Sequence, residues 1–179
     1  MAIRFGLLSS FILGFALIAG AQERAPTSPA VDGASALSKL DFMVGTWKGA
    51  GWMMLGPGKR AEFTQTEVVT KKLSGALITI EGDGRDAGNA ERHVHDAFAT
   101  LYFLPESGEI HFTAFSGGNR LDVVPVIGEK MFQWGFDAPY GKTRFTLDYT
   151  TGQWHETGEL SRDGGKTWMK NFEMTLTRS

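Results

Sequence analysis

The run Leu37–Gly49, LSKLDFMVGTWKG, decides the fold. Leu37, Leu40 and Val44 stand at i, i+3 and i+7, the spacing of one buried helical face. Ser35 suits an N-cap and Gly45 a C′ stop, so a short helix is predicted between them. Thr46-Trp47-Lys48-Gly49-Ala50-Gly51 follows at once with an alternating, glycine-rich β pattern. A short apolar helix feeding a Gly-x-Trp strand predicts a plug packed across one end of a β-barrel.

Toward the C-terminus the period is two, and turn signals recur about every ten residues. The pattern predicts strands near 46–54, 61–70, 75–82, 91–104, 109–116, 121–127, 130–137, 142–149, 153–161 and 167–177. Gly56-Pro57-Gly58, Gly82-Asp83-Gly84, Pro105–Gly108, Gly117-Gly118-Asn119, Pro139-Tyr140-Gly141 and Asp163-Gly164-Gly165 punctuate them. No segment after residue 45 carries a helical period. About ten short antiparallel strands in one domain leave exposed edges, and curling the sheet into a barrel removes them.

Toward the N-terminus, Arg4 supplies a positive start, Phe5–Ile18 is apolar apart from small residues, and Ala19-Gly20-Ala21 has the form of a cleavage site. Residues 1–21 therefore read as a secretory signal peptide, the apolar run being shorter than a membrane span requires. A periplasmic or secreted protein without a stable membrane anchor is expected. With no cysteine in the chain, neither a disulfide nor a lipidated cysteine can contribute, so the core alone must hold the domain. Residues 22–36, with Pro26, Pro29 and Gly33, read as a flexible linker, leaving 37–179 as the folded domain. Losing Arg4 makes the mature chain one unit more negative than the −2 of the whole. That balance, without any basic cluster, argues against nucleic acid as a partner.

Leu40–Gly49, Gln65-x-Glu67, Gly75-x-Leu77, His95-Asp96-Ala97 and Trp154-x-Glu156-x-Gly158 together resemble a bacterial calycin-type β-barrel family of unknown function, distantly similar to nitrobindin-like and lipocalin-like barrels. The likeness spans roughly residues 37–177. It implies an antiparallel calycin/lipocalin-like barrel around a cavity for a small, largely apolar ligand, and it implies no reaction. Nitrobindin-like barrels bind haem through a histidine near the C-terminus. The closing strand 167–177 has none, so haem is disfavoured and no cofactor is expected.

The histidines do not form a metal site by spacing. His93 and His95, two apart on one strand, are expected to share a face. If Leu104 faces Glu109 across the Pro105–Gly108 turn, His111 faces Tyr102 and lies on the opposite face from His95, about 23 Å along the ladder. The next hairpin is more informative. With Asp137 opposite Lys142, the residues Phe132, Trp134 and Phe136 share a face with Thr143, Phe145 and Leu147, while Gln133, Arg144 and Thr146 take the other. The aromatic face should turn inward, because burying each such side chain is worth about 1.5–3 kcal/mol. A turn at 150–153 then aligns Trp154 and Glu156 with that face. A carboxylate there must be paired, hydrogen-bonded or protonated.

The expected ligand wall is Trp47, Phe63, Trp134, Phe136, Phe145 and Trp154, with Glu67, Glu81 and Glu156 as polar positions and Arg144 on the outer face. Two other readings stay open: an enzyme using Glu156 or His95 as general acid or base, and a barrel filled by its own side chains. Ser161–Trp168 matches the Asp-box of sialidases, S-x-D-x-G-x-T-W, but a single copy reads as a structural hairpin in which Asp163 caps backbone donors.

Overall fold

The computed structural model describes residues 32–179. The expected signal peptide and linker residues 22–31 lie outside the described residues. Asp32 opens the ordered chain, its carboxylate accepting from the Ala34 amide at 3.3 Å and capping helix α1, Gly33–Leu37. The chain then tightens into a 3₁₀ turn, Ser38–Met43. This corrects the expected helix, which begins earlier than Ser35, inside the expected linker, and does not run as one α-helix to Gly45. The reason is the apolar spacing. Leu37, Leu40 and Met43 recur every three residues, and all three are almost wholly buried. Three residues per turn is 3₁₀ geometry, which stacks them along one side.

Eleven antiparallel strands follow. They are β1 (Gly45–Gly56), β2 (Lys59–Lys72), β3 (Leu77–Asp86), β4 (Asn89–Leu104), β5 (Glu109–Ser116), β6 (Asn119–Val123), β7 (Val126–Gly128), β8 (Met131–Ala138), β9 (Gly141–Asp148), β10 (Trp154–Ser161) and β11 (Met169–Arg178). The expected strand 121–127 is two strands, because Pro125 has no N–H to donate to a ladder and separates β6 from β7. The expected turn at Gly82–Gly84 lies inside β3, and the chain reverses at Ala87-Gly88 instead.

The ladder runs β6-β5-β4-β3-β2-β1-β11-β10-β9-β8-β7. Its two edges, β6 and β7, are consecutive in sequence with only Val124 and Pro125 between them. Three Cα steps span at most about 11 Å, so the ends of the sheet must come round toward each other. The result is a strongly curled half-barrel whose seam is not hydrogen-bonded. Across that seam the ring of Phe112 on β5 lies 5.4 Å from Phe132 and 5.3 Å from Trp134, both on β8. The registers expected for the 104/109 and 137/142 hairpins are those observed.

Trp47 ties the helical plug to the sheet. Fully buried, it donates from Nε1 to the Met43 carbonyl at 2.7 Å. Tyr149 meets it edge-on at 5.3 Å and Trp154 at 5.9 Å. The Arg178 guanidinium lies 4.3 Å over its ring and donates to the carbonyls of Val44 and Phe42. At the far surface, the Ser161–Trp168 segment is the structural hairpin expected. Asp163 accepts from the amides of Lys166 and Thr167 at 3.0 and 2.9 Å and from both neighbouring hydroxyls. Those donors hold its carboxyl well below the usual range, the Thr167 hydroxyl first among them.

Candidate functional site

Alternation along β2 turns Phe63, Gln65, Glu67 and Val69 inward, each at most 5% exposed. Glu67 faces Gly82 on β3, which faces Ala97 on β4; Gln65 faces Gly84, which faces His95. The two glycines make the room these polar side chains occupy. A Cβ at Gly82 would stand 2.9 Å from a Glu67 oxygen, and one at Gly84 2.5 Å from Gln65 Oε1 and 2.8 Å from His95 Cβ. Gly84→Ala should therefore destabilise the fold by about 1–3 kcal/mol through overpacking. Urea unfolding measures this, and a cost below about 0.5 kcal/mol would contradict the packing described.

From the opposite wall, Glu156 on β10 stands between Met174 of β11 and Leu147 of β9, with Phe132 of β8 beyond. Trp134 stacks on Phe145 at 4.4 Å beside it. Two interior cavities meet here. One, of about 120 Å³, reaches from Met43 of the plug along Leu147, Trp154 and Phe112. The other, of about 260 Å³, extends toward Met53, Phe172 and Asn171. Glu67, His95, Trp134 and Glu156 line both. At the seam, a wider recess of about 550 Å³ shares Ala114, Ser116 and Trp134 with the first cavity.

The electrostatics of this junction are unusual for so small a core. Glu67 accepts from Gln65 Nε2 at 2.7 Å and Glu156 from Trp154 Nε1 at 3.0 Å. Neither has a cationic partner among the described residues. Burial, reinforced by the charge of Glu156, pushes the Glu67 carboxyl up to about 8 despite the Gln65 hydrogen bond. Burial likewise pushes Glu156 up to about 7, with the Trp154 bond working against it. At neutral pH the pair therefore holds at least part of its protons. Burial pushes His95 down, its neighbour Asp96 opposing, so this imidazole favours its neutral form.

Of the expected site residues, Glu67, Trp134, Phe145, Trp154 and Glu156 line the cavities. Glu81 does not. The inward residues of β3 are Ile78, Ile80, Gly82 and Gly84, so Glu81 faces solvent with the outer set. Trp47 is sealed beneath the plug, and Phe63 stacks on Phe172 at 5.7 Å, outside both interior cavities. Phe136 borders the recess at the seam. Arg144 is outside, as expected, paired with Glu159 at 2.6 Å and stacked on Trp168 at 4.1 Å. His93 and His95 do not share a face. A bulge at Val94 pairs Gly84 with His95 and the next residue, Arg85, with His93, sending His93 outward to Asp83 at 3.1 Å.

Sequence reasoning did not assign Gln65, Asn171 or Met174 to the site. Gln65 carried a readable signal, its shared face with Phe63 and Glu67. Asn171 carried none. His95 is the inward histidine among the described residues, and it lines both cavities.

The curled antiparallel sheet with its helical plug is similar in fold to calycin-like β-barrels. The crystal structure of Rv2717c from M. tuberculosis superposes with a TM-score of 0.57 at 12% identity, covering 85% of this chain and 98% of that one. The S-type phycobiliprotein lyase CPES from Guillardia theta superposes with a TM-score of 0.51 at 10% identity, covering 86% and 98%. At such identities the likeness is one of fold. No family profile matches the sequence, and no curated protein matches it either.

Proposed function

We propose that this is an exported barrel protein that holds a small apolar or amphipathic molecule in its interior. The observation that carries the reading is the junction itself. Two buried carboxyls without cationic partners look into adjoining cavities walled by Trp134, Phe145, Phe172 and Trp154. Apolar walls with a few fixed polar groups are what small-ligand sites require. A core selected only for stability gains nothing from a desolvated acid pair. The larger volume, about 260 Å³, suits a single ring with a short chain, since a dry apolar cavity of about 150 Å³ accepts benzene.

Native mass spectrometry of the exported protein tests this. The expected polypeptide begins at Gln22, and a fraction of it carries added mass or takes up an apolar fluorescent dye. Protein that retains residues 1–21 would refute the export; protein that carries and accepts nothing would refute the binding.

The carboxyl of Glu156, whose pKa burial pushes up to about 7, favours a second reading, general acid–base catalysis on the bound molecule. Glu156→Gln separates the two. A catalyst loses turnover while retaining its ligand; a binder shows no turnover to lose.

A further inference from the structure

We propose that the polar end of the ligand is a basic nitrogen, an ammonium on a small aromatic or aliphatic body, seated between Glu67 and Glu156. The inference rests on the interior-binding reading and names the chemical class it takes.

The argument is one of complementarity. Among the described residues the polar lining of the larger cavity is Gln65, Glu67, His95, Glu156 and Asn171, with no lysine or arginine in either cavity. Glu67 Oε2 and Glu156 Oε1 accept no hydrogen bond from the described residues, the single bond to each carboxyl going to the other oxygen. Gln65, 2% exposed on the same wall, leaves Oε1 without a partner, and Asn171 leaves Oδ1 without one. Four oxygens of the lining thus accept nothing, two of them on carboxyls, while the donors left free are the neutral groups of His95, Asn171 and Trp134, none of which carries a positive charge. A neutral hydroxyl would satisfy one of the four oxygens. A carboxylate ligand would add a third acid to a pair already short of countercharge. An ammonium supplies up to three donors and the missing charge together. The rings of Trp134 and Phe145 beside the carboxyls favour a cation further. Once it is seated, both carboxyls can ionise, and their protons leave to solvent on binding.

Titration calorimetry with three probes of one shape tests the class: 3-phenylpropylamine, 3-phenylpropan-1-ol and 3-phenylpropanoate. Near pH 8 the amine, with an amino group titrating near 10, is charged. It is expected to bind about tenfold or more tightly than either of the others. Glu67→Gln and Glu156→Gln should each weaken the amine about tenfold while moving the alcohol less than about threefold. The titratable groups facing the cavities are Glu67 from β2, Glu156 from β10 and His95 from β4. Amine binding near pH 7 should thus release protons, read as a dependence of the heat on buffer ionisation, and alcohol binding should release none. The proton count uses the unmodified protein, so it stands even if a variant fails to fold. If the alcohol or acid matches the amine, or amine binding releases no proton, the amine class is wrong and the binding interior survives. If none of the three probes binds and an apolar dye does not enter either, both readings fall.

Discussion

The stability of the protein is expected to fall as pH rises from about 6.5 to 8. Glu67 and Glu156 have folded-state values of about 8 and about 7 against an ordinary 4.5. Between 4.5 and those values the folded protein holds protons that the unfolded chain has given up. The folded state is therefore favoured most at low pH, and the advantage is lost as pH climbs through the two folded values. Each carboxyl contributes a slope of up to about 1.4 kcal/mol per pH unit where only the folded state is protonated. His95 acts in the opposite sense, since its lowered value makes the folded state less stable as pH drops below the usual histidine range. It offsets part of the slope near and below about 6.5 and fades within about one pH unit above. The carboxylates with lowered values, such as Asp122 and Asp148, lose their contribution only in more acid solution. Urea midpoints at pH 6.5 and 8 measure the effect. Replacing both glutamates by glutamine should remove the slope and raise stability at the upper end by several kcal/mol. A flat profile for the unmodified protein would mean that the two carboxyls are solvated or paired, contrary to the geometry described.

Trp47→Ala should cost about 3–5 kcal/mol of folding free energy, a large share of what a domain of this size possesses. The ring is fully buried and its N–H satisfies the Met43 carbonyl at the end of the 3₁₀ turn. Removing it opens a void against Tyr149 and Trp154 and leaves the Arg178 guanidinium without its stacking surface. Trp47→Phe refills most of that volume while leaving the carbonyl unpaired, so it should cost less, about 1–3 kcal/mol. Equilibrium denaturation gives both numbers. A Trp47→Ala cost below about 1.5 kcal/mol would show that the plug is not anchored through this residue.

How the architecture could be read from sequence differs between its two halves. In β8–β10 each strand splits cleanly into aromatic and polar faces, so register and orientation followed from one assumed hairpin pair, Asp137 with Lys142. Trp134, Phe145 and Glu156 fell on the correct face for that reason. In β2–β4 the two faces are closer in composition, and glycine misled. Gly82 and Gly84 look like a turn, yet they are inward strand residues whose missing Cβ atoms accommodate Glu67 and Gln65. Ending the strand at Gly82 hid the inward set that places Glu81 outside. The bulge at Val94, which separates His93 from His95, leaves no mark in residue types. The plug was legible as an element but not as a 3₁₀ turn, because Val44 completed a helical spacing that Met43 in fact governs. Asn171 faces the interior near a second register shift, in β10–β11, which periodicity alone does not reveal.

The order of the ladder also sets how the chain can find its shape. Apart from β1 with β11, every paired strand meets its neighbour in sequence, so two runs of hairpins, β1–β6 and β7–β11, can zip up locally and early. The union of β1 with β11 is different: it brings together residues such as Lys48 and Thr177, 129 positions apart. Closing so long a loop carries the largest entropic toll of any strand pairing in the ladder. Docking of the two ribbons along β1 and β11, the ladder beside which Trp47 and Arg178 clasp the plug, is therefore the pairing that costs the chain most entropy.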